Sequence, residues 1–448
     1  MGNRVKRRTA GLVRIILATA LLFWVSSFPF HLFPYSPRAF AVTHDAVIST
    51  ETVEGRLAVF DDAWERINER YYDRQFNGLD WDTQRTTFRP LAEKATSGRE
   101  LYAVLRRMIS SLKDPHTRVF APEEKFDWWR PRFVTMGLTI SEVGGLPTVT
   151  RVERESAPQK AGIRPGDVIE TVDREAASAL LQRRLTEVAD PVTAATRYRV
   201  FAKLLDGPDG SSVALTWKDK SGKRKSHSFA RYWQQRELGV RIRRERDFAV
   251  VEIEAFTKPI ALAFARDFKE KFSGVRGVII DLRTNGGGDA EAMSDIASIF
   301  LGVNTDLGRF TDRAGTSFTL STRFKSLLAK NPVAPTGVPL VVLTSERTAS
   351  AAEIFVEALR DSKRATIIGT ETCGCVLAVR TRHVLPDGGL LDVSELDYET
   401  AQGQRIEGHG LKPDENVTIE RKDLYAGWDR AIELAKAALV RVPFAQFQ

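Results

Sequence analysis

The sequence predicts a multidomain α/β protein, on three observations. From residue 248 onward, apolar strand-like runs alternate with amphipathic helix-like runs over short connections, the pattern of a mostly parallel sheet with helices packed on it. Residues 133–230 instead alternate polar and apolar positions around glycine turns, as a small α/β module of their own. Residues 52–128 place apolar and aromatic side chains at helical spacing. A chain of 448 residues accommodates these as two or three domains.

The N-terminus runs from cationic MGNRVKRRTAGLVR through the short apolar IILATALLFWV to a small-x-small AFA at 39–41. That is the layout of a secretory signal peptide. The apolar run is short for a membrane span and is followed by Pro29. Residues 1–41 therefore read as a signal peptide, with an uncleaved anchor as the alternative. The chain is expected to be exported, periplasmic or secreted, or held at the inner membrane by its N-terminus. His31 and His44 fall in or beside this region.

In the N-terminal helical region, residues 52–130, FDDAWERINERYYD and ELYAVLRRMISSL are the helices and NGLDWDT the turn. Pro115 disfavours helix past Lys113, so His116 in KDPHTRVF lies just beyond a helix end. In residues 131–232, VTMGLTISEVGGLPTVTRV reads as strands about a Gly-Gly turn. AGIRPGDVIETVD follows, then a polar helical stretch and the hairpin SSVALTWKDKSGKRKSHSF. In residues 240–448, FAVVEIEAF, VRGVIIDLR, VPLVVLTS and ATIIGTET are buried strands. KPIALAFARDFKEKF, AEAMSDIASIFL and AAEIFVEALRD are the intervening helices, and AGWDRAIELAKAALV closes the fold.

Composition narrows the function. The chain is 43% hydrophobic and 28% charged, as globular proteins are. Its net charge of +8 comes from dispersed arginines, with no basic block interleaved with aromatics, which argues against a nucleic-acid partner. The only two cysteines, Cys373 and Cys375, lie in TCGC. A bridge across one residue is strained, so no disulfide scaffold is expected. No histidine pair has zinc spacing; neither a metal nor a cofactor is expected.

Sites on parallel sheets form at the C-terminal ends of strands. Two such ends stand out, DLRTNGGGD and LTSERTASAAE. Three glycines at a strand-to-helix turn expose N–H groups that can stabilise an oxyanion, or simply make a tight turn. A phosphate loop would need G-K-[ST] or G-x-G-x-x-G, which is absent. Ser350 opens a helix after a buried strand. Alone it reads as an N-cap; as a nucleophile it needs a base and oxyanion donors.

Taken in order, DPHT, GLTI…AGIRPGDVI, DLRTNGGGD, TASAAEIFVEALRDSKRATIIGTETCG, LPDGG and GHGLKPD resemble the C-terminal processing (tail-specific) serine proteases and their tricorn-like branch, from about residue 52 to 435. The resemblance implies a crotonase-like α/β catalytic core with a PDZ-like α/β insertion and an N-terminal helical segment. It implies Ser350 as nucleophile, with oxyanion donors from Ala351 and from Gly287 or Gly288. In the tail-specific branch the base is a lysine in T-x-G-K-G; here that place holds Cys375, a poor base near neutral pH.

Two readings follow from that departure. One is a catalytically inactive scaffold that binds peptide C-termini. The other is the tricorn-like arrangement, with His116 as base and Glu407, just ahead of G-x-x-P-D, as its orienter. The serine that precedes the tricorn histidine is Pro115 here. His409 is the reserve base, and Asp361 matches an acidic position of the lysine branch. MGLTI at 136–140 matches the carboxylate-binding loop of PDZ domains, which implies Met136, Gly137 and Leu138 as the site for free C-termini of protein or peptide substrates. The expected activity is that of an exported serine endopeptidase. A catalytic histidine raised by Glu407 would give activity rising through roughly pH 6 to 7.5.

Overall fold

In the computed structural model, residues 47–124, 127, 130–187, 192–323 and 337–441 are described. The signal-like segment, with His31 and His44, lies outside them. No helix among the described residues is long and apolar enough to cross a membrane.

The central sheet has six strands, in the order Val240–Glu245, Phe248–Ile253, Gly277–Asp281, Leu340–Thr344, Ala365–Gly369 and Glu415–Asn416. The first pair is antiparallel and the others parallel. The two middle strands, Gly277–Asp281 and Leu340–Thr344, are buried along their whole length, as their near-continuous apolar runs require. Helices Lys258–Lys271, Ala290–Leu301 and Ala351–Asp361 connect successive strands. The closing helix Arg430–Arg441 packs on the sheet through Ile432, Ala435 and Leu439. Arg283, just past the third strand, holds that end by donating to Asp429 at 2.7 Å.

A second sheet carries the N-terminal region into the same body. Arg118–Phe120 pairs antiparallel with Leu390–Asp392 of the long strand Leu390–Glu399, which also pairs with Asp306–Asp312 and Ala378–Val384. The N-terminal helices Val53–Arg70, Trp81–Lys94 and Gly98–Ser110 bury Phe60, Ile67, Leu105 and Met108 in one core with Leu385, Leu391 and Val393. The segment that carries His116 thus joins the C-terminal half by strand pairing, across 274 residues of sequence at Arg118–Asp392. The separate module forms its own sheet, in the order Leu138–Val143, Leu146–Val152, Val168–Val172, Ser212–Lys218 and Arg224–Ala230, around Trp217, Phe201 and Phe229. It is tied to the closing segment where Arg421 Nε donates to the Gly166 carbonyl at 2.9 Å and Tyr425 to Asp167 at 3.3 Å.

An aromatic layer supports the helices beneath the strand ends. Phe264 is fully buried, with Phe268, Phe272 and Phe300 rings at 5.7, 5.9 and 6.1 Å. Phe300 meets Phe355, and Phe355 meets Phe256. Phe264→Ala empties the middle of this layer. It should cost about 3–5 kcal/mol in urea unfolding, and a loss under about 1 kcal/mol would show the layer to be dispensable.

Candidate active site

After the strand Leu340–Thr344 the chain turns through residues 345–350 and enters the helix Ala351–Asp361. Ser350 stands at the junction with φ 57° and ψ −127°. A non-glycine residue in this region is strained, and strand–turn–helix junctions of this kind hold a side chain up from the sheet. The backbone around it explains how the conformation persists. Ser350 N–H donates to the Cys375 carbonyl at 2.8 Å and to Glu353 Oε2 at 3.2 Å. Glu353 N–H donates to the Ser350 carbonyl at 2.8 Å. These bonds use Ser350 backbone atoms; its hydroxyl faces the Glu353 N–H in a capping-box arrangement but makes no cap hydrogen bond.

Glu353 is fully buried. Besides Ser350, its carboxylate accepts from Thr372 Oγ1 at 2.5 Å, Gly374 N at 2.7 Å and Cys375 N at 2.9 Å. Burial raises its pKa, against the lowering pull of these donors. Sequence reasoning left Glu353 without a role. The legible signal was its place three residues after Ser350, where a carboxylate reaches back to the helix start.

The glycine turn abuts the serine. Gly287 has φ +98°, and a Cβ there would stand 2.7 Å from Ser350 Cβ and 3.1 Å from Ala351 N. At Gly288, with φ +137°, a Cβ would fall 2.2 Å from the Phe256 carbonyl. Only glycine fits either place. The Gly287 N–H donates to Asn285 Oδ1 at 2.8 Å, which corrects its expected part as an oxyanion donor. Asn285, itself fully buried, takes that donor while anchoring its own Nδ2 to the Ile253 carbonyl at 3.1 Å. The N–H groups of Gly288 and Ala351 have no hydrogen-bond partner among the described residues.

His116 follows a buried Asp114. The Asp114 carboxylate accepts from His116 N at 2.7 Å and from Thr117 Oγ1 at 2.5 Å, an aspartate turn that fixes the imidazole's root. His116 Nδ1 is buried without a hydrogen-bond partner, 3.9 Å from Asp114 Oδ1. Burial lowers the histidine to about 4; Asp114 and Asp392 raise it, and Arg118 and Arg199 lower it further. The expected rise through pH 6 to 7.5 therefore does not belong to this imidazole, which desolvation keeps neutral well below that range.

Glu407 Oε2 accepts from Val376 N at 2.6 Å and Leu377 N at 3.1 Å. Burial raises its pKa to about 7; the two amides lower it, and Asp114 and Glu353 raise it. Ser350 and Glu407 thus grip consecutive residues of one loop. Among the described residues no hydrogen bond links His116 to either; the carboxylate nearest its ring is that of Asp114. His383 is buried against Glu395 at 3.0 Å, and the reserve base His409 is exposed. Asp361 ends the helix that follows Ser350, on the surface.

Residues 247–417 match Peptidase family S41, and residues 54–110 match the Tricorn protease C1 domain. The chain carries a peptidase family S41 domain. The chloroplastic C-terminal processing peptidase of Tetradesmus obliquus is 28% identical over 84% of this chain and 80% of its own length. The Carboxyl-terminal-processing protease of Synechocystis sp. is 28% identical over 85% and 86%. Among solved structures, the photosystem II D1 C-terminal processing protease is 27% identical, with TM-score 0.52, over 81% of this chain and 93% of its own. Mature CPAF, at 15% identity and TM-score 0.64 over 86% and 96%, shares the fold. The chain is a serine-type peptidase of mixed α/β multidomain build with an N-terminal helical segment.

Within the S41 domain, the TCGC loop departs from the sequence expectation. The structure joins Cys373 to Cys375 in a disulfide. Gly374, in a left-handed conformation at φ +67°, brings their Cα atoms to 5.2 Å, within bridging range. Arg199, from helix Ala194–Ala202 of the separate module, puts Nη1 3.7 and 3.8 Å from the two sulfurs. No local pattern marked this arginine; only the docking of the module brings it here.

The predicted carboxylate loop is partly occupied. The Met136 side chain is buried in the module's core. The Gly137 N–H donates to Thr135 Oγ1 at 2.9 Å, so it is not a free donor as expected. Leu138 begins the edge strand Leu138–Val143, whose outer side pairs with no other strand among those described. A cavity of about 1370 Å³ joins Met136 and Leu138 to the Gly286–Gly288 turn and the Thr344–Arg347 strand end.

The two perturbed groups make opposite contributions to stability. Folded His116 stays neutral down to about pH 4 but protonates near 6.5 when unfolded, so acid in that interval favours unfolding. Folded Glu407 holds its proton up to about pH 7 but ionises above 4.5 when unfolded, so rising pH favours unfolding there. Each effect is worth about 3 kcal/mol, and between pH 4.5 and 6.5 they oppose. Glu407→Gln removes the second slope. Its stability relative to wild type should rise by about 3 kcal/mol from pH 4.5 to 7 in urea titrations. A constant difference would mean that Glu407 titrates at an ordinary carboxylate value.

Proposed function

We propose that this chain is an exported serine endopeptidase that attacks peptide bonds through Ser350, with His116 as general base. The observation that carries the reading is Ser350 itself. A strained serine, its hydroxyl making no cap hydrogen bond to the helix it opens, sits against a glycine turn whose neighbouring N–H groups at Gly288 and Ala351 have no internal partner.

In this mechanism neutral His116 takes the Ser350 proton as Oγ attacks the scissile carbonyl. The oxyanion of the tetrahedral intermediate accepts from Gly288 and Ala351. The imidazolium then gives its proton to the leaving amine, and water frees the acyl group by the same steps in reverse. Asp114, at 3.9 Å, and Asp392 are the carboxylates that favour the imidazolium, and Glu407 is the proposed orienter. Glu407 acts from a fixed place, held by the Val376 and Leu377 amides.

Export rests on the signal-like layout of residues 1–41, which would deliver the enzyme to the periplasm or outside, or keep it at the inner membrane. The module at 131–232, read as PDZ-like, would hold a substrate's free C-terminus along the open edge of Leu138–Val143, with Leu138 N–H and Met136 N–H near its carboxylate. The cavity that continues from this edge to the strand ends gives such a peptide a path.

A fluorophosphonate probe should label Ser350 in the purified chain, and Ser350→Ala should abolish labelling. His116→Ala should lose peptidase activity to a similar degree, about 10³-fold or more, because these groups act as a unit. Full activity in His116→Ala would remove the histidine from the mechanism.

Amidating a peptide substrate's C-terminus should raise its KM or slow its cleavage. Equal turnover of acid and amide would show that the module does not read chain ends.

A further inference from the structure

We propose that Cys373 and Cys375 form a thiol–disulfide exchange site that couples the redox state of the surroundings to the geometry of Ser350. The ligand class is a dithiol reductant, or the redox protein that carries one.

The argument begins with what the bridge can do. A disulfide that encloses a single residue removes little freedom from the unfolded chain, so its contribution to global stability is small. Its effect is local, and this locality holds the reacting serine. The Cys375 carbonyl accepts the Ser350 N–H at 2.8 Å. The Cys375 and Gly374 amides donate to Glu353, and Cys373 N–H donates to the Thr348 carbonyl at 2.9 Å. The next two amides, Val376 and Leu377, hold Glu407. Closing the ring therefore fixes the backbone that positions the strained serine and the carboxylate together.

The chemistry of exchange is also provided for. Cys373 is partly exposed, whereas Cys375 is buried. A reductant's thiolate can attack Cys373 Sγ, forming a mixed disulfide and expelling the Cys375 thiolate. Arg199 Nη1 lies 3.8 Å from that sulfur, and a nearby cation makes a thiolate a better leaving group. The reductant's second thiolate then attacks its own sulfur in the mixed disulfide and expels the Cys373 thiolate, 3.7 Å from the same guanidinium. Two electrons pass to the protein, the dithiol becomes a cyclic disulfide, and its two protons end on the two cysteines. The chain has no third cysteine to intercept the exchange.

The inference rests on the peptidase reading only for its consequence at Ser350, so the test has two arms. The first treats the native full chain with dithiothreitol, alkylates it with N-ethylmaleimide, and measures intact mass and hydrogen exchange. Two alkylated cysteines should appear without denaturant. Exchange in peptides covering Ser350 and Gly374–Leu377 should quicken by at least about tenfold and recover on reoxidation. The second follows fluorophosphonate labelling of Ser350, whose rate should fall on reduction and recover with the exchange. Cys373→Ser/Cys375→Ser should exchange like the reduced wild type and ignore dithiothreitol. Cysteines that react only after denaturation, or that react with exchange at these peptides unchanged, would overturn the proposal. An oxidised wild type that never labels would count against the peptidase reading, while the mass and exchange arm would still decide the redox site.

Discussion

The buried carboxylate of Glu353 is the constraint on which the site depends. A serine held at positive φ costs on the order of 1–3 kcal/mol, and an isolated turn would relax. Glu353 offsets that cost. Four donors converge on its two oxygens, one from Ser350 and three from the Thr372–Cys375 loop. Hydrogen bonds to a charged acceptor contribute roughly 1.5–3 kcal/mol each, so together they exceed the strain even after a burial penalty is charged. Breaking the set leaves a buried charge unsatisfied, which makes the arrangement all or none. The aromatic layer below gives the same helix a rigid seat through Phe355.

That constraint changes the meaning of the missing lysine. Reading the sequence, attention falls on the Cys375 side chain, which cannot replace an amine. In the structure, Ser350 uses the residue's carbonyl, and Glu353 uses its amide. Both are backbone groups that any residue supplies. The loop keeps its scaffolding role while its side chain changes, so losing the lysine does not dismantle the surroundings of Ser350.

How far the sequence could be read follows from the range of the forces involved. Four of the six strands of the central sheet and the helices packed on it were legible because their periodicity is local, and the glycine turn because no side chain fits at Gly287 or Gly288. Ser350 and the glycine turn lie at neighbouring strand ends, so pattern alone could bring them together. The donor assignment failed at Gly287 because a short-range competitor, Asn285, sits two residues away in the same turn. The peptide loop failed in part for the same reason at Gly137, where Thr135 intervenes. Arg199 and the pairing of Arg118 with Asp392 were beyond pattern altogether, since each depends on how separate modules dock.

The electrostatics of the pocket follow from burial. Desolvation acts on both titrating groups in the same sense, disfavouring charge. It makes His116 neutral and holds Glu407 near the point of losing its proton at about 7. The proposed base is therefore uncharged at rest, as a group that must accept a proton has to be. In the proposed mechanism the balance reverses once the imidazolium forms. A cation would then stand 3.9 Å from Asp114, and that carboxylate favours it. The same low dielectric that suppresses charge at rest strengthens its stabilisation in the transition state. Arg199 works against this at His116, since it lowers the histidine, while it favours ionised Glu407. Its place beside the sulfurs, in the field of both groups, makes the docking of one module part of the charge balance of the other.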